Sequence, residues 1–281
     1  MAAERVPRLL RLLVLFGRLS LLLNFRGGLE SASWLLAEVV VNLGAVSATF
    51  LVAQRFGGIG GWSRADVVFL IGFALMVNGL VGSLAGSNVG MISRRIGRGQ
   101  LDHVLLQPAP LWLTLLVEGF APFDLCLVVA IAAGLLGWAA GAAGVAVGPG
   151  WLALLGLNAA AATLVVLAFQ FAWGTLAFWA PRAAEEINTA TAALSGLSSY
   201  PLDRAGALLQ ATLLTAFPVG LVAWVPCHAL LGVRPALPAG VFLTPGAAAL
   251  LGAVALLLFR RGLQHYERTG SSRYSSFGHR R

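Results

Sequence analysis

Three carboxylates stand inside otherwise apolar runs of the sequence: Glu38, Glu118 and Asp124. Ionisable groups are costly in hydrocarbon, so the default reading is a substrate path or a proton relay. Asp124 follows Pro122, and a tilted helix there would instead carry Glu118 to a membrane surface; both readings stay open. The other reactive side chains are poorly placed for chemistry. Cys126 and Cys227 sit in apolar surroundings without metal-ligand spacing and read as inert thiols. His228, beside Pro226, reads as a packed histidine, and no Ser-His-Asp arrangement or Cys/His metal spacing is present. The sequence contains no Lys at all, so it cannot hold the Gly-x4-Gly-Lys-Ser/Thr phosphate loop. No catalytic, cofactor-binding or metal-binding residue is assigned. If ATP drives this protein, another chain must hydrolyse it.

The elements that hold these residues are set by composition. Apolar residues make up 58% of the chain and charged ones 11%, against roughly a quarter charged in a soluble domain. Mean hydropathy is +0.84. So few charges cannot cover a water-soluble surface, and an all-α integral membrane protein is expected. The net charge of +8 comes from Arg gathered in short segments between apolar runs, not from a basic face with interleaved aromatics. That argues for membrane orientation and against nucleic acid.

A helix needs ~20 mainly apolar residues to cross the hydrocarbon. In residues 1–28 Arg5, Arg8, Arg11 and Arg18 fall within an arc of about 140° on a helical wheel, away from Leu9, Leu13 and Phe16. This spacing predicts an amphipathic interfacial helix, retained rather than cleaved as a signal peptide. Six transmembrane helices are then expected, near 31–53, 65–89, 110–140, 151–179, 183–200 and 241–259. Between the fifth and sixth, residues 204–232 carry Arg204, Pro218 and Pro226 in an apolar context, which predicts an extracellular re-entrant hairpin. The Arg distribution fits: fifteen fall in the segments this topology puts inside and four, Arg55, Arg64, Arg204 and Arg234, outside. Both termini are therefore expected in the cytoplasm. The boundaries are an interfacial helix at 1–28, a transmembrane domain at 29–263 and a basic tail at 264–281. Gly82, Gly86 and Gly90 recur every four residues in the second span and could pack one helix closely on another, within the chain or across a dimer seam.

The polar segment after the second span is the most informative. Ile92-Ser93-Arg94-Arg95-Ile96-Gly97-Arg98-Gly99-Gln100-Leu101-Asp102-His103-Val104-Leu105-Leu106-Gln107-Pro108 reads as a short amphipathic helix, a glycine hinge, an acid and a Pro-limited apolar tail. A loop that needed only positive charge would not need that pattern.

The pattern resembles the cytoplasmic segment between the second and third spans of ABC-2-type permeases, in particular a bacterial branch long left uncharacterised. Gly61-Trp62-Ser63 before the second span, Ser199-Tyr200-Pro201-Leu202, Phe217-Pro218 and Pro226, and the ending Gly262-Leu263-Gln264-His265-Tyr266-Glu267-Arg268-Thr269-Gly270-Ser271 are similar to that branch as well. The likeness covers essentially the whole chain. It implies the permease subunit of an ATP-driven transporter, usually an exporter, in the bacterial inner membrane. Such a subunit is a dimer, with a second copy or a related permease, and is powered by cytoplasmic ABC ATPase subunits. The resemblance makes residues 94–102 (Arg94, Arg95, Ile96, Gly97, Arg98, Gly99, Gln100, Leu101 and Asp102) the coupling helix that meets the ATPase. Its arginines would pair there with acidic groups or with anionic lipid. The N-terminal helix would be the connecting helix. The alternative is an ion-coupled secondary transporter working through Glu118 or Asp124, although the internal duplication common in such carriers is absent.

Overall fold

A computed structural model describes residues 5–56, 58–59, 61–90, 92–106, 111, 114, 120–232 and 240–270. Helix α1 (Arg5–Asn24) leads into α2 (Gly28–Phe56). A two-stranded hairpin follows, β1 (Gly58–Ile59) paired antiparallel with β2 (Trp62–Ser63). Gly61 occupies its turn at φ +100°, a conformation open to glycine. Then come α3 (Arg64–Gly90), the short α4 (Ile92–Gly97) and α5 (Leu101–Leu105), α6 (Pro122–Ala142) and α7 (Pro149–Thr175). The remainder is α8 (Pro181–Leu194), α9 (Ala207–Thr215), α10 (Trp224–Leu231) and α11 (Gly240–Thr269). Pro at the first position opens both α6 and α7, where its missing N–H costs nothing.

Among the described residues four helices are long and apolar enough to cross a membrane: Arg64–Ala85, Leu125–Ala142, Pro149–Phe178 and Gly240–Thr269. A fifth is added if Ala207–Thr215 and Pro218–Leu231, bent by 70° at their junction, count as one span. The expected first span is the 29-residue α2. The expected fifth differs from a simple span. It is a fourteen-residue helix that buries Ala184, Asn188 and Thr191 and exposes Glu186 and Thr189. Its length, ~21 Å, falls short of the ~30 Å of hydrocarbon.

Contacts nevertheless fix where each element begins and ends relative to α3, itself ~40 Å long. At the start of α3, Phe69 lies 5.9 Å from Trp151 of α7. At its far end the chain turns into α4, whose Ile92 abuts Gly174 near the end of α7. Helices α3 and α7 therefore run in the same direction, from a Trp62 end to an Arg94 end. Helix α6 returns: Ala121 N–H donates to the Ser83 carbonyl at 2.8 Å, while Leu135 and Leu136 pack on Gly72, nearer the start of α3. The segment from α8 onward also returns, since Glu185 reaches Arg94 and Asp203 reaches Trp62. Helix α11 runs back to the Arg94 end, with Tyr266 meeting Asp102.

Two apolar cores result. The larger joins α3, α6 and α7 to the bent pair through Phe69, Phe73, Ala162 and Val165, with Leu221 and Val225 beyond them. The smaller joins α4, α5, α8 and α11 through Ile92, Ile96, Leu101, Phe178 and Tyr266. Helix α1 stands apart from both. Its Val14, Leu15, Leu22 and Leu23 are exposed alongside Arg11 and Arg18, and it is held to the start of α6 at Gly17 and through Phe25 on Phe123.

Candidate functional site

The polar side chains that meet across elements gather at the two ends of the bundle. At the Arg94 end, α4 and α5 form a helical hairpin. Gly99, at φ +68°, ends α4 in the left-handed conformation that a side chain would strain. Gln100 N–H then donates to the Arg95 carbonyl at 2.9 Å, closing the turn. Ile92, Ile96 and Leu101 of the hairpin face inward, at 1% exposure or less.

Three polar contacts hold this hairpin from behind. Arg94 Nε donates to Glu185 Oε1 at 2.8 Å, with the Arg94 side chain 42% exposed. Asn188 Nδ2 donates to Ser93 Oγ at 3.2 Å, both buried. The Tyr266 hydroxyl donates to Asp102 Oδ1 at 2.5 Å. The hairpin is thereby fastened to α8 and to α11, elements that follow it by about a hundred residues or more.

The nine residues expected to form the coupling helix separate by this geometry. Arg98 and Gln100 are exposed; Arg94, Arg95 and Asp102 are half-buried; Ile96, Gly97, Gly99 and Leu101 are buried. Arg94 and Asp102 have partners inside the chain. The face left to solvent is Arg98, Gln100 and His103, with Leu105 and Leu106 exposed at the end of α5.

The other expected residues are not brought together. Glu118 lies outside the described residues, as do the side chains of Glu38 and Asp124. Gly82 is exposed, with nothing within 4 Å of where a Cβ would stand. The surroundings of Gly86 and Gly90 also lie outside the described residues. The close approach on α3 occurs at Gly79, where a Cβ would meet Val128 of α6 at 2.2 Å.

The Trp62 end holds a cluster that sequence reasoning missed. Asp203 Oδ2 accepts hydrogen bonds from two indole N–H groups, Trp62 at 2.5 Å and Trp224 at 2.8 Å. His228 Nε2 stands 3.5 Å from Asp203 Oδ1, and its ring packs edge-on against both indoles. His228 is 2% exposed and its Nδ1 has no partner. The cluster ties the β-hairpin to the bent pair. One signal was available: a buried indole N–H needs an acceptor, and Asp203 is an acid among apolar residues in the same segment as Trp224. Between the ends, a small apolar cleft of about 30 Å³ lies beside α7, lined by Val166, Phe169, Gln170, Thr191 and Phe217. Among the described residues no group of three His, Cys, Asp or Glu could hold a metal ion.

The family model described as ABC-2 family transporter protein matches residues 39–270 of the chain. No curated protein and no solved structure matches it.

Proposed function

The chain belongs to the ABC-2 transporter family, and on that premise we propose that it is the permease subunit of an ATP-driven exporter in a bacterial inner membrane. It is a multi-pass membrane protein of a transport family. In this reading α2, α3, α6, α7, the segment 181–199 and α11 cross the bilayer, and the bent pair enters and leaves on the extracellular side. The Arg94 end then faces the cytoplasm with both termini. Helix α1 lies in the interface as the connecting helix. The subunit pairs with a second permease, a copy or a relative, and does no ATP chemistry of its own.

The observation that carries the reading is the two-sidedness of the α4–α5 hairpin. Ile92, Ile96 and Leu101 are buried against α7, α8 and α11, while Arg98, Gln100 and His103 remain exposed, with Leu105 and Leu106 beside them. A short polar hairpin that is held from behind and bare in front suits a surface for a cytoplasmic ATPase. Because Arg94 and Asp102 are engaged within the chain, Arg98 is the cleaner probe of docking. Reversing a charge at a complementary interface costs affinity. Arg98→Glu should lower co-purification of the ATPase subunit at least about tenfold, or 1.4 kcal/mol. Unchanged recovery of the ATPase would remove the docking role from this face.

A further inference from the structure

Helix α11 is hydrogen-bonded at both ends of the molecule, to the α4–α5 hairpin and to the bent pair. At the Arg94 end the Tyr266 hydroxyl donates to Asp102 Oδ1, which binds α11 to the α4–α5 hairpin. At the Trp62 end Thr244 Oγ1 donates to the Leu221 carbonyl at 3.2 Å, in the 3-10 turn Pro218–Leu221 of the bent pair. About 33 Å of helix separates the two joints, at about 1.5 Å per residue. The one proline in α11 is Pro245, beside the upper joint, so the helix below it has no break to absorb a displacement.

The fully buried residues on the face between the joints are small. Ala248, Ala255 and Gly262 are the buried residues there, one every seventh position. The ring of Phe178 is seated on Gly262, and Phe259 packs on Phe171 and Phe178, so α11 is keyed to its neighbours beside the lower joint. The alternative route from the hairpin runs through Arg94–Glu185 and α8 to Asp203. That route is interrupted by the 3-10 turn Ser195–Ser199 and a non-helical stretch before Asp203.

We propose that α11 is the rod that carries displacement of the α4–α5 hairpin to the bent pair, with Asp102–Tyr266 as the driven joint and Thr244–Leu221 as the delivering one. Asp102 and Tyr266 are positioning residues in this scheme. The proposal rests on the reading of the chain as an ATPase-driven permease.

The test uses the full-length permease with its ATPase subunit in lipid nanodiscs. Cys126, the exposed cysteine, is replaced by Ser, and an environment-sensitive fluorophore is placed at Leu208→Cys, on the exposed face of α9. ATP with vanadate should shift its emission in the otherwise native protein. Tyr266→Phe, which removes only the hydroxyl, should abolish the shift while leaving bound ATPase and its hydrolysis rate unchanged. Asp102→Asn, which keeps the accepting oxygen, should retain the shift. A shift that survives Tyr266→Phe overturns the rod, and so does the absence of any shift in the native complex. Loss of the ATPase from the Tyr266→Phe permease also overturns it, since the pair would then belong to the docking surface. Failure of the native permease to bind an ATPase would instead overturn the functional reading itself.

Discussion

Asp203 shows how much one side chain can hold in an apolar surrounding. Its Oδ2 is the acceptor for the indole N–H groups of Trp62 and Trp224, themselves 2% and 8% exposed. Removing the acceptor would leave two buried donors unsatisfied, at about 1–3 kcal/mol each. Asp203→Leu should therefore lower the thermal unfolding temperature in detergent markedly, and Asp203→Asn, which keeps an oxygen acceptor, should lower it less. Equal losses would show that the carboxylate charge facing His228 matters more than the hydrogen bonds. A Leu variant as stable as the native protein would sink the account. The sequence hid this contact because its partners lie 141 and 21 residues apart. Chemistry demands that a buried indole find an acceptor, but not which one. The Asp102–Tyr266 bond was hidden in the same way, although both residues lie within motifs that the resemblance to permeases singled out.

At the level of helices, apolar run length and Pro positions were legible and helix seams were not. The runs near 65–89 and 151–179 became α3 and α7 with close agreement, because an uninterrupted run of apolar residues has few alternatives in a bilayer. Small residues at four-residue spacing, by contrast, specify only that close packing is possible. Gly82 stands in open space, and the seam between α3 and α6 closes three residues earlier, at Gly79 on Val128. Gly79→Ala should therefore cost about 1–3 kcal/mol by overpacking, whereas Gly82→Ala should be neutral for the folding of one chain. Thermal unfolding of the two variants distinguishes these outcomes, and similar effects at both positions would argue against the seam. Helix α8 departs from the simple span expected near 183–200 for a related reason. Its inward face is small and polar, with Asn188 bonded to Ser93, so its path depends on protein neighbours rather than on its own hydropathy.

Among the described side chains of the bundle, the ionisable ones divide between the two ends, and the part between them is nearly free of charge. Helix α7, for example, carries no ionisable residue from Pro149 to Thr175. Such a charge-free middle suits a bilayer, and the asymmetry of the ends sets the direction of insertion. Of the Arg residues described from α2 onward, Arg94, Arg95, Arg98, Arg182, Arg260, Arg261 and Arg268 belong to segments at the end where α4 lies, while Arg55, Arg64 and Arg204 belong to the end of Trp62. In the proposed function, the positive-inside rule puts the α4 end in the cytoplasm. Single cysteines test the whole arrangement at once, in a chain with Cys126 replaced by Ser. Ala2→Cys and Ser275→Cys should react with a membrane-impermeant maleimide only after the cells are opened. Val147→Cys, exposed in the turn between α6 and α7, should react in intact cells. Labelling of position 275 from outside, with position 2 still protected, would mean an odd number of crossings. The bent pair would then be a full span, and the rod formed by α11 would point the opposite way through the membrane.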